Sequence, residues 1–359
     1  MKEEEKMKKI RLGLIGLGAM GMGHFNTYVQ LMNEGFPIEL VAVCDIDRKK
    51  FEATENKDTN LEEFKDSKVD FSKFNCYIKY EEMIEKENLD MVSVVVPTYL
   101  HYEVAVYALQ HGCHVLCEKP MALSDKLCQV MIDNAKKAGK RLMVGQCLRF
   151  WGEYVAAKEI IDSGKYGKVV GARFYRGGQN PASPWFFERH KGGGALFDQH
   201  IHDVDMVNWL FGMPKAVSAT GCIAVPGSGY DIVSANYIYE NGVAVTTQDD
   251  WMNFTPEFKM EFRINLEKAT IIYNSKGFTV KADEKAGIDY PLYMAKPTVD
   301  ATPEFVSGQG YYNEIKYFVN CILNDTENTI NPPEDSLNTI RIALAETKSC
   351  DLKGQLVEL

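Results

Sequence analysis

The sequence predicts an α/β fold: an N-terminal doubly wound parallel sheet, then an α+β domain built on a large, mainly antiparallel sheet. Three observations predict it. Residues 10–120 alternate short apolar runs with amphipathic stretches, the pattern from which parallel sheets with crossover helices are built. The runs lack polar alternation, as strands buried on both faces do. Beyond Pro214 the texture changes to β-branched segments of alternating polarity, which suit an antiparallel sheet.

In chain order, "IRLGLIG", "ELVAVCD", "MVSVVVP" and "HVLCEK" read as strands, with helices over Met22–Gly35, Tyr80–Asn88 and His101–Gly112. The last ends on glycine, a common helix stop. Helix Ser124–Ala138 and strand "RLMVGQ" follow, and a domain boundary is expected between Gly145 and Trp151. A helix over Trp151–Ser163 leads to "KVVGARFYRGG" and to a Gly-, Pro- and Trp-rich stretch from Gly177 to Gly194. The antiparallel sheet takes "AVSATGCIAV", "DIVSANYIYE", "GVAVTTQDDWMNF", "KMEFRINLEKATIIYN" and "GFTVKAD". Helices Tyr311–Leu323 and Ser336–Cys350 close the chain. The expected domains are 1–147, 148–330, and a C-terminal helix and tail, 331–359, packing back towards the first.

The chain has 359 residues, 45% hydrophobic and 25% charged, an ordinary globular composition long enough for about two domains. A net charge of −10 argues against a general nucleic-acid surface, which needs clustered Lys and Arg. Lys6 to Lys9 do cluster, but glutamates precede them, so a solvated tail is expected. "MKEEEKMKKI" has no apolar core of a signal peptide, and no apolar run is long enough to span a membrane. Nine cysteines without a CxxC pair read as reduced thiols of a cytoplasmic protein.

"LIGLGAMG" supplies Gly16-x-Gly18-x-x-Gly21 between an apolar strand and a helix, the context a dinucleotide-binding turn requires. Gly16 allows the tight turn, Gly18 a close approach of pyrophosphate, and Gly21 close helix–strand packing. The helix start offers N–H groups and partial positive charge to phosphates. Asp45, ending the second strand, is expected to meet the adenosine ribose hydroxyls and to disfavour a 2′-phosphate. NAD is therefore favoured, and Arg48 keeps NADP possible. Domain 1–147 is the expected NAD(P)-binding, Rossmann-type domain.

"HVLCEKP" places Glu118, Lys119 and Pro120 at the carboxyl end of a buried strand, where functional residues of open α/β sheets gather. Pro120 biases Lys119 away from helical angles. A lysine there can donate a hydrogen bond to a reacting oxygen.

In "ALFDQHIHDVD", Asp198 and His202 stand four apart, so on one continuous helix they share a face, while His200 points elsewhere. Gly192–Gly194 read as a flexible lead-in. The geometry selects His202 as general base with Asp198 beside it, and Asp203 and Asp205 as hydrogen-bond partners within the fold. A two-histidine metal site is weighed and set aside, because residues two apart on a helix diverge and no third ligand clusters with them.

Together, "GLIGLGAMG", "VAVCD", "VVVPTYLH", "HVLCEKPMA" and "GGGALFDQHIHDVD" resemble the Gfo/Idh/MocA oxidoreductases, the glucose–fructose oxidoreductase and inositol dehydrogenase group, over essentially the whole chain. The resemblance implies Lys119, Asp198 and His202 as catalytic residues. It implies Gly16, Gly18, Ala19, Met20, Gly21, Asp45, Arg48, Pro97, Thr98, His101, Glu118 and Lys119 around the cofactor. It further implies hydride transfer between nicotinamide and a secondary alcohol or ketone of a cyclic polyol or sugar, inositol-like first, and a homodimer or homotetramer. Domain 148–330 is then the substrate-binding and oligomerisation domain. "CLRFWGEY" and "YRGGQNPASPW" are its expected pocket walls, with Arg149, Arg176, Gln179 and Trp185 facing substrate alongside Asp198 and His202; His190 and the Trp185 region are expected to line the same pocket. Two alternatives belong to other classes: an NAD-dependent glycosidase acting by transient oxidation, and a non-enzymatic NAD-binding sensor.

Overall fold

The computed structural model describes residues 9–52, 70–252, 258–282, 289–290 and 309–359. Most of the expected N-terminal tail, and parts of the "DDWMNF" and "GFTVKAD" segments, lie outside the described residues. The chain divides into two units, Met1–Met121 with Lys126–Gly145 and Glu314–Pro333, and Ala122–Asp125 with Gln146–Asn313 and Glu334–Leu359.

The first unit runs β1 (Ile10–Ile15), α1 (Ala19–Asn33), β2 (Ile38–Cys44), β3 (Asn75–Tyr77), α2 (Tyr80–Lys86), β4 (Met91–Val94), α3 (His101–Gln110), β5 (His114–Cys117), α4 (Asp125–Ala138) and β6 (Leu142–Val144). Its six strands form one sheet in the order β3-β2-β1-β4-β5-β6, all parallel. The order reverses between β1 and β4, where ligands bind in doubly wound sheets. Leu12, Leu14, Val43, Val92, Val115 and Leu116 are fully buried, which explains their unbroken apolar runs. Each such side chain contributes roughly 1.5–3 kcal/mol by leaving water. The short edge strand β3 carries no such run and has no counterpart in the sequence reading.

The second unit runs α5 (Gly152–Asp162), β7 (Val169–Gly177), α6 (Ala195–Asp198), α7 (Ile201–Phe211), β8 (Ala216–Cys222), β9 (Ile232–Ile238), β10 (Ala244–Asp250), β11 (Lys259–Leu266), β12 (Ala269–Asn274), β13 (Gly277–Ala282) and β14 (Asp289–Tyr290). The chain closes with α8 (Gly310–Leu323), α9 (Pro333–Asp351) and β15 (Val357–Glu358). Nine strands order as β14-β13-β12-β11-β7-β10-β9-β8-β15, antiparallel except where β10 runs parallel to β7.

The C-terminal residues are shared between the two units. Residues 314–333 return to the first unit, where Asn331 Nδ2 donates to Val144 O at 2.6 Å and Arg141 pairs with Asp325 at 2.8 Å. Residues 334–359 belong to the second unit: β15 pairs with β8, and Ser349 Oγ on α9 accepts from Ala219 N at 2.8 Å. The division into units falls at Gly145 and Gln146.

Candidate active site

In the first unit, β1 runs into the glycine loop at the switch point. Gly16 has φ +98°, and a Cβ on it would lie 2.2 Å from Val95 O. A Cβ on Gly21 would meet Gly16 O at 2.0 Å, while one on Gly18 would meet nothing within 4 Å. The first and third glycines thus serve the protein's own packing, and the second keeps open the space above the loop. Helix α1 starts at Ala19 without a side-chain cap, so the N–H groups of Ala19, Met20 and Gly21 are the first-turn donors available to an anion. Asp45 is fixed beside the loop: Leu17 N donates to Oδ2 at 2.8 Å and Asp47 N to Oδ1 at 2.9 Å. Arg48 is exposed at the start of a 3-10 turn. These residues fit a dinucleotide, with an open pyrophosphate cradle and an anchored carboxylate at the ribose position. Ile46 is 90% exposed next to Asp45; an apolar side chain directly after a strand-end acid was the available signal for it.

Lys119 is half-buried at the exit of β5, and its peptide to Pro120 is cis. Around it lies a buried network. His24 Nε2 meets Glu118 Oε1 at 2.8 Å, His24 Nδ1 meets Ser93 Oγ at 3.1 Å, and Tyr28 OH donates to Ser93 Oγ at 2.9 Å. Because a carboxylate only accepts, His24 Nε2–H donates to Glu118. Burial favours the neutral acid at Glu118, yet His24 and Lys119 outweigh it and hold the carboxyl below its usual range. Glu118 Oε2 also accepts from Lys119 N at 3.1 Å, and a Cβ on Gly145 would come 3.0 Å from that carboxylate. Glu118 is therefore a brace for the lysine's backbone, where the sequence placed it at the cofactor. His24 had no reading from sequence.

His101 is likewise engaged within the protein. Its ring is buried, with Nδ1 2.8 Å from Pro120 O and Nε2 2.8 Å from Val96 O, so it ties the exits of β4 and β5 together. Burial pushes its pKa down despite both carbonyls. Pro97 is half-buried and Thr98 buried, opening the turn before α3.

In the second unit the expected single helix is broken. α6 ends at Asp198 and α7 begins at Ile201; Gln199 N and His200 N both donate to Ala195 O at 2.8 Å. Asp198 and His202 therefore stand on either side of a turn. The glycine lead-in is packed, not loose: Gly192, Gly193 and Gly194 are buried, and a Cβ on Gly194 would lie 2.7 Å from the backbone of Gly229. Within the segment, Asp198 and His202 are half-buried, whereas His200, Asp203 and Asp205 are buried.

The buried ones are engaged inside the unit. Asp203 Oδ1 accepts from Arg176 Nη2 at 2.9 Å, and Asp205 takes two bonds from Arg149, at 2.9 and 2.8 Å. Arg149 Nη1 also donates to Asp335 at 2.7 Å. Arg149 is 0% exposed and Arg176 2%, so both expected substrate arginines are interior ion-pair partners, because a buried guanidinium needs carboxylates beside it. His200 Nε2 lies 3.1 Å from Glu346 Oε2, and burial, which works against its charge, is outweighed by that carboxylate, so its pKa is raised. Asp249 is pushed up to about 8, first by burial. Trp185 is half-buried and stacks on Phe186 at 3.8 Å between ring centres, Gln179 is exposed, and exposed His190 lies 3.6 Å from Glu188.

Residues 10–146 match the model of the oxidoreductase family with NAD-binding Rossmann fold, and 154–272 that of the GFO/IDH/MocA C-terminal domain. The chain is 33% identical over 214 residues, 58% of its length and 52% of the relative's, to 2,7-anhydro-N-acetylneuraminate hydratase of Mediterraneibacter gnavus. It is 31% identical over 204 residues, 56% of the chain and 54% of the relative, to inositol 2-dehydrogenase of Salmonella typhimurium. It is also 31% identical over 224 residues, 61% and 59%, to D-glucoside 3-dehydrogenase of Escherichia coli. These alignments span about half the length of the curated relatives. Among solved structures, levoglucosan dehydrogenase with NADH and levoglucosan superposes with TM-score 0.81 at 22% identity, covering 98% of this chain and 99% of that one; at that identity the likeness is one of fold. With both halves matched by their own models, the chain belongs to the Gfo/Idh/MocA oxidoreductase family.

Proposed function

We propose that the chain is an NAD-dependent dehydrogenase that interconverts a secondary alcohol and a ketone on a cyclic polyol or sugar, with inositol-like rings first. The observation that carries this reading is selective exposure. In a segment crowded with ionisable groups, Asp198 and His202 alone are half-buried while His200, Asp203 and Asp205 are buried, and half-buried Lys119 ends a strand beside the glycine-loop strand's neighbour.

Bound NAD supplies the hydride acceptor. His202 takes the hydroxyl proton as the carbinol carbon loses its hydride, Asp198 orients and steadies the imidazole, and Lys119 donates a hydrogen bond to the oxygen as charge develops on it. Such acid–base help is worth about 10² to 10⁴ in rate. Gly18 and the first turn of α1 would hold the pyrophosphate and Asp45 the ribose hydroxyls, and exposed Ile46 would offer the adenine an apolar face; Arg48 leaves NADP as the weaker choice. Trp185 offers an aromatic face to the sugar ring, and Gln179 a hydrogen-bonding group.

The relatives named inositol 2-dehydrogenase and D-glucoside 3-dehydrogenase support the substrate class. A second reading has its own support: the relative named a hydratase carries out no net oxidation by name. On it, transient oxidation serves elimination or hydration, and NADH does not accumulate. The test is NADH formation with NAD and then NADP across inositols, aldoses, glucosides and anhydrosugars, with product analysis. Net NADH on one stereochemical set supports the dehydrogenase; product without NADH transfers the assignment to the second reading; binding of NAD with no product leaves a sensor.

We further propose a cytoplasmic homo-oligomer formed through the second unit's sheet, whose strands expose Val170 and Ile238 at 51% and 43%. No described helix is long and apolar enough to cross a membrane. Light scattering that finds only monomer at micromolar concentration refutes the assembly.

A further inference from the structure

A four-residue helix such as α6 is far below the length at which helices persist alone, about 12 residues, so its end must be held by tertiary contacts. Gln199 and His200 fill the turn after it, and both point into anchors from other elements. Gln199 Nε2 donates to Asp249 Oδ1 at 3.2 Å, Oδ2 at 3.3 Å and Asp250 O at 3.1 Å. His200 Nε2 faces Glu346 Oε2 at 3.1 Å and Thr247 Oγ1 at 3.3 Å. Glu346 is itself fixed, since its Oε1 accepts from Tyr237 OH at 2.6 Å, and that hydroxyl lies 2.9 Å from Thr247 Oγ1. His200, Asp249 and Glu346 are 0% exposed, Tyr237 2% and Thr247 3%. Two separate elements, β10 and α9, thus converge on two consecutive residues, and Tyr237 on β9 braces the anchors of the second.

We propose that Gln199 and His200 are positioning residues: fastened to Asp249, Glu346 and Thr247, they fix the turn between α6 and α7 and so set where Asp198 and His202 stand. This rests on the reading of those two as the reacting groups. Asp198 and His202 each lie two residues from His200, one on either side, so a shift of the anchored turn moves both together. The arrangement is rigid because the anchoring side chains of Asp249, Glu346 and Thr247 are buried, and leaving one such group unpaired costs about 1–3 kcal/mol.

The test compares Gln199→Met and Glu346→Gln, both close in shape to the original, in the full chain carrying isotope-labelled histidine. The His202 imidazole signals, assigned with His202→Asn, are followed through a pH titration in each variant. The proposal expects the His202 signals and titration midpoint to move in both variants. With the polyol found in the substrate panel, it expects kcat to fall by up to about 10²-fold, the scale of an ångström-sized misplacement, at unchanged KM for NAD. Unmoved His202 signals and midpoint, with only the melting temperature lowered, overturn it. Should Glu346→Gln not fold, Gln199→Met alone gives the same two outcomes. The reading of His202 as base is judged separately, by whether His202→Asn abolishes turnover; the imidazole titration in the positioning variants does not depend on that result.

Discussion

Asp249 makes a stability prediction whose sign is fixed by the structure. Its side chain is fully buried on β10, and its pKa is pushed up from 3.8 to about 8, first by burial, with Asp203 adding repulsion and His200, Arg176 and Gln199 pulling the other way. Between those two values the folded protein holds a proton that the unfolded chain does not. A raised pKa of this kind contributes stability that is full below the unfolded value and is lost as pH rises through the folded one. The loss is about 1.4 kcal/mol per pH unit for one proton, hence about 2.7 kcal/mol between pH 5 and 7. Asp249→Asn carries no titrating group and removes this slope. For a folding unit of 150–250 residues, 1 kcal/mol moves Tm by roughly 2–4 °C. Relative to the variant, the wild type therefore loses about 5–11 °C between pH 5 and 7. Calorimetric melts of both proteins at pH 5, 6, 7 and 8 provide the measurement. A Tm difference that stays constant across that range refutes a protonated Asp249.

Other consequences are equally direct. Arg149→Met strands Asp205 in the interior and takes the partner from half-buried Asp335, and is expected to destabilise by about 3–5 kcal/mol in denaturant titrations, without raising KM for substrate beyond what partial unfolding explains; a folded variant with only a raised KM returns Arg149 to the pocket. Gly18→Ala adds a methyl where nothing lies within 4 Å, so Tm should hold while NAD affinity drops by about tenfold or more, a loss of at least 1.4 kcal/mol readable by fluorescence titration. Asp45→Ser should lower the NAD-to-NADP preference in kcat/KM, since it removes the carboxylate that a 2′-phosphate would face; an unchanged ratio means Asp45 serves only its bonds to Leu17 and Asp47.

Where burial on both faces wrote itself into the chain as unbroken apolar runs, as in β1, β2, β4 and β5, sequence sufficed to place the strand. The glycine loop was legible for a related reason: Gly16 and Gly21 answer to backbone oxygens only a few residues or one strand away. The helix break was not legible. Residues 195–211 carry a continuous helical pattern, and the turn at Gln199 and His200 is held by Glu346 and Asp249, far along the chain. Arg149 and Arg176 misled for the same reason, since their carboxylate partners lie on α7 and α9 and an arginine in a loop-rich stretch looks like a ligand for hydroxyls. Glu118 sits within the motif that marks Lys119, yet its partner His24 comes from α1, and no local spacing links the two. The pairing of the closing segment was not legible because β15 has only two residues and its pairing with β8 leaves no periodic signal.

The most direct test of the account is single-turnover hydride transfer from a polyol deuterated at the reacting carbon, followed by nicotinamide reduction in the wild type, Lys119→Ala and His202→Asn at saturating NAD. The account predicts deuterium on the reduced nicotinamide with the wild type. It predicts transfer slowed by at least about 10²-fold in both variants, with NAD affinity retained. Transfer at wild-type speed in either variant, or no transfer from any ring alcohol by a wild type that binds NAD, contradicts it.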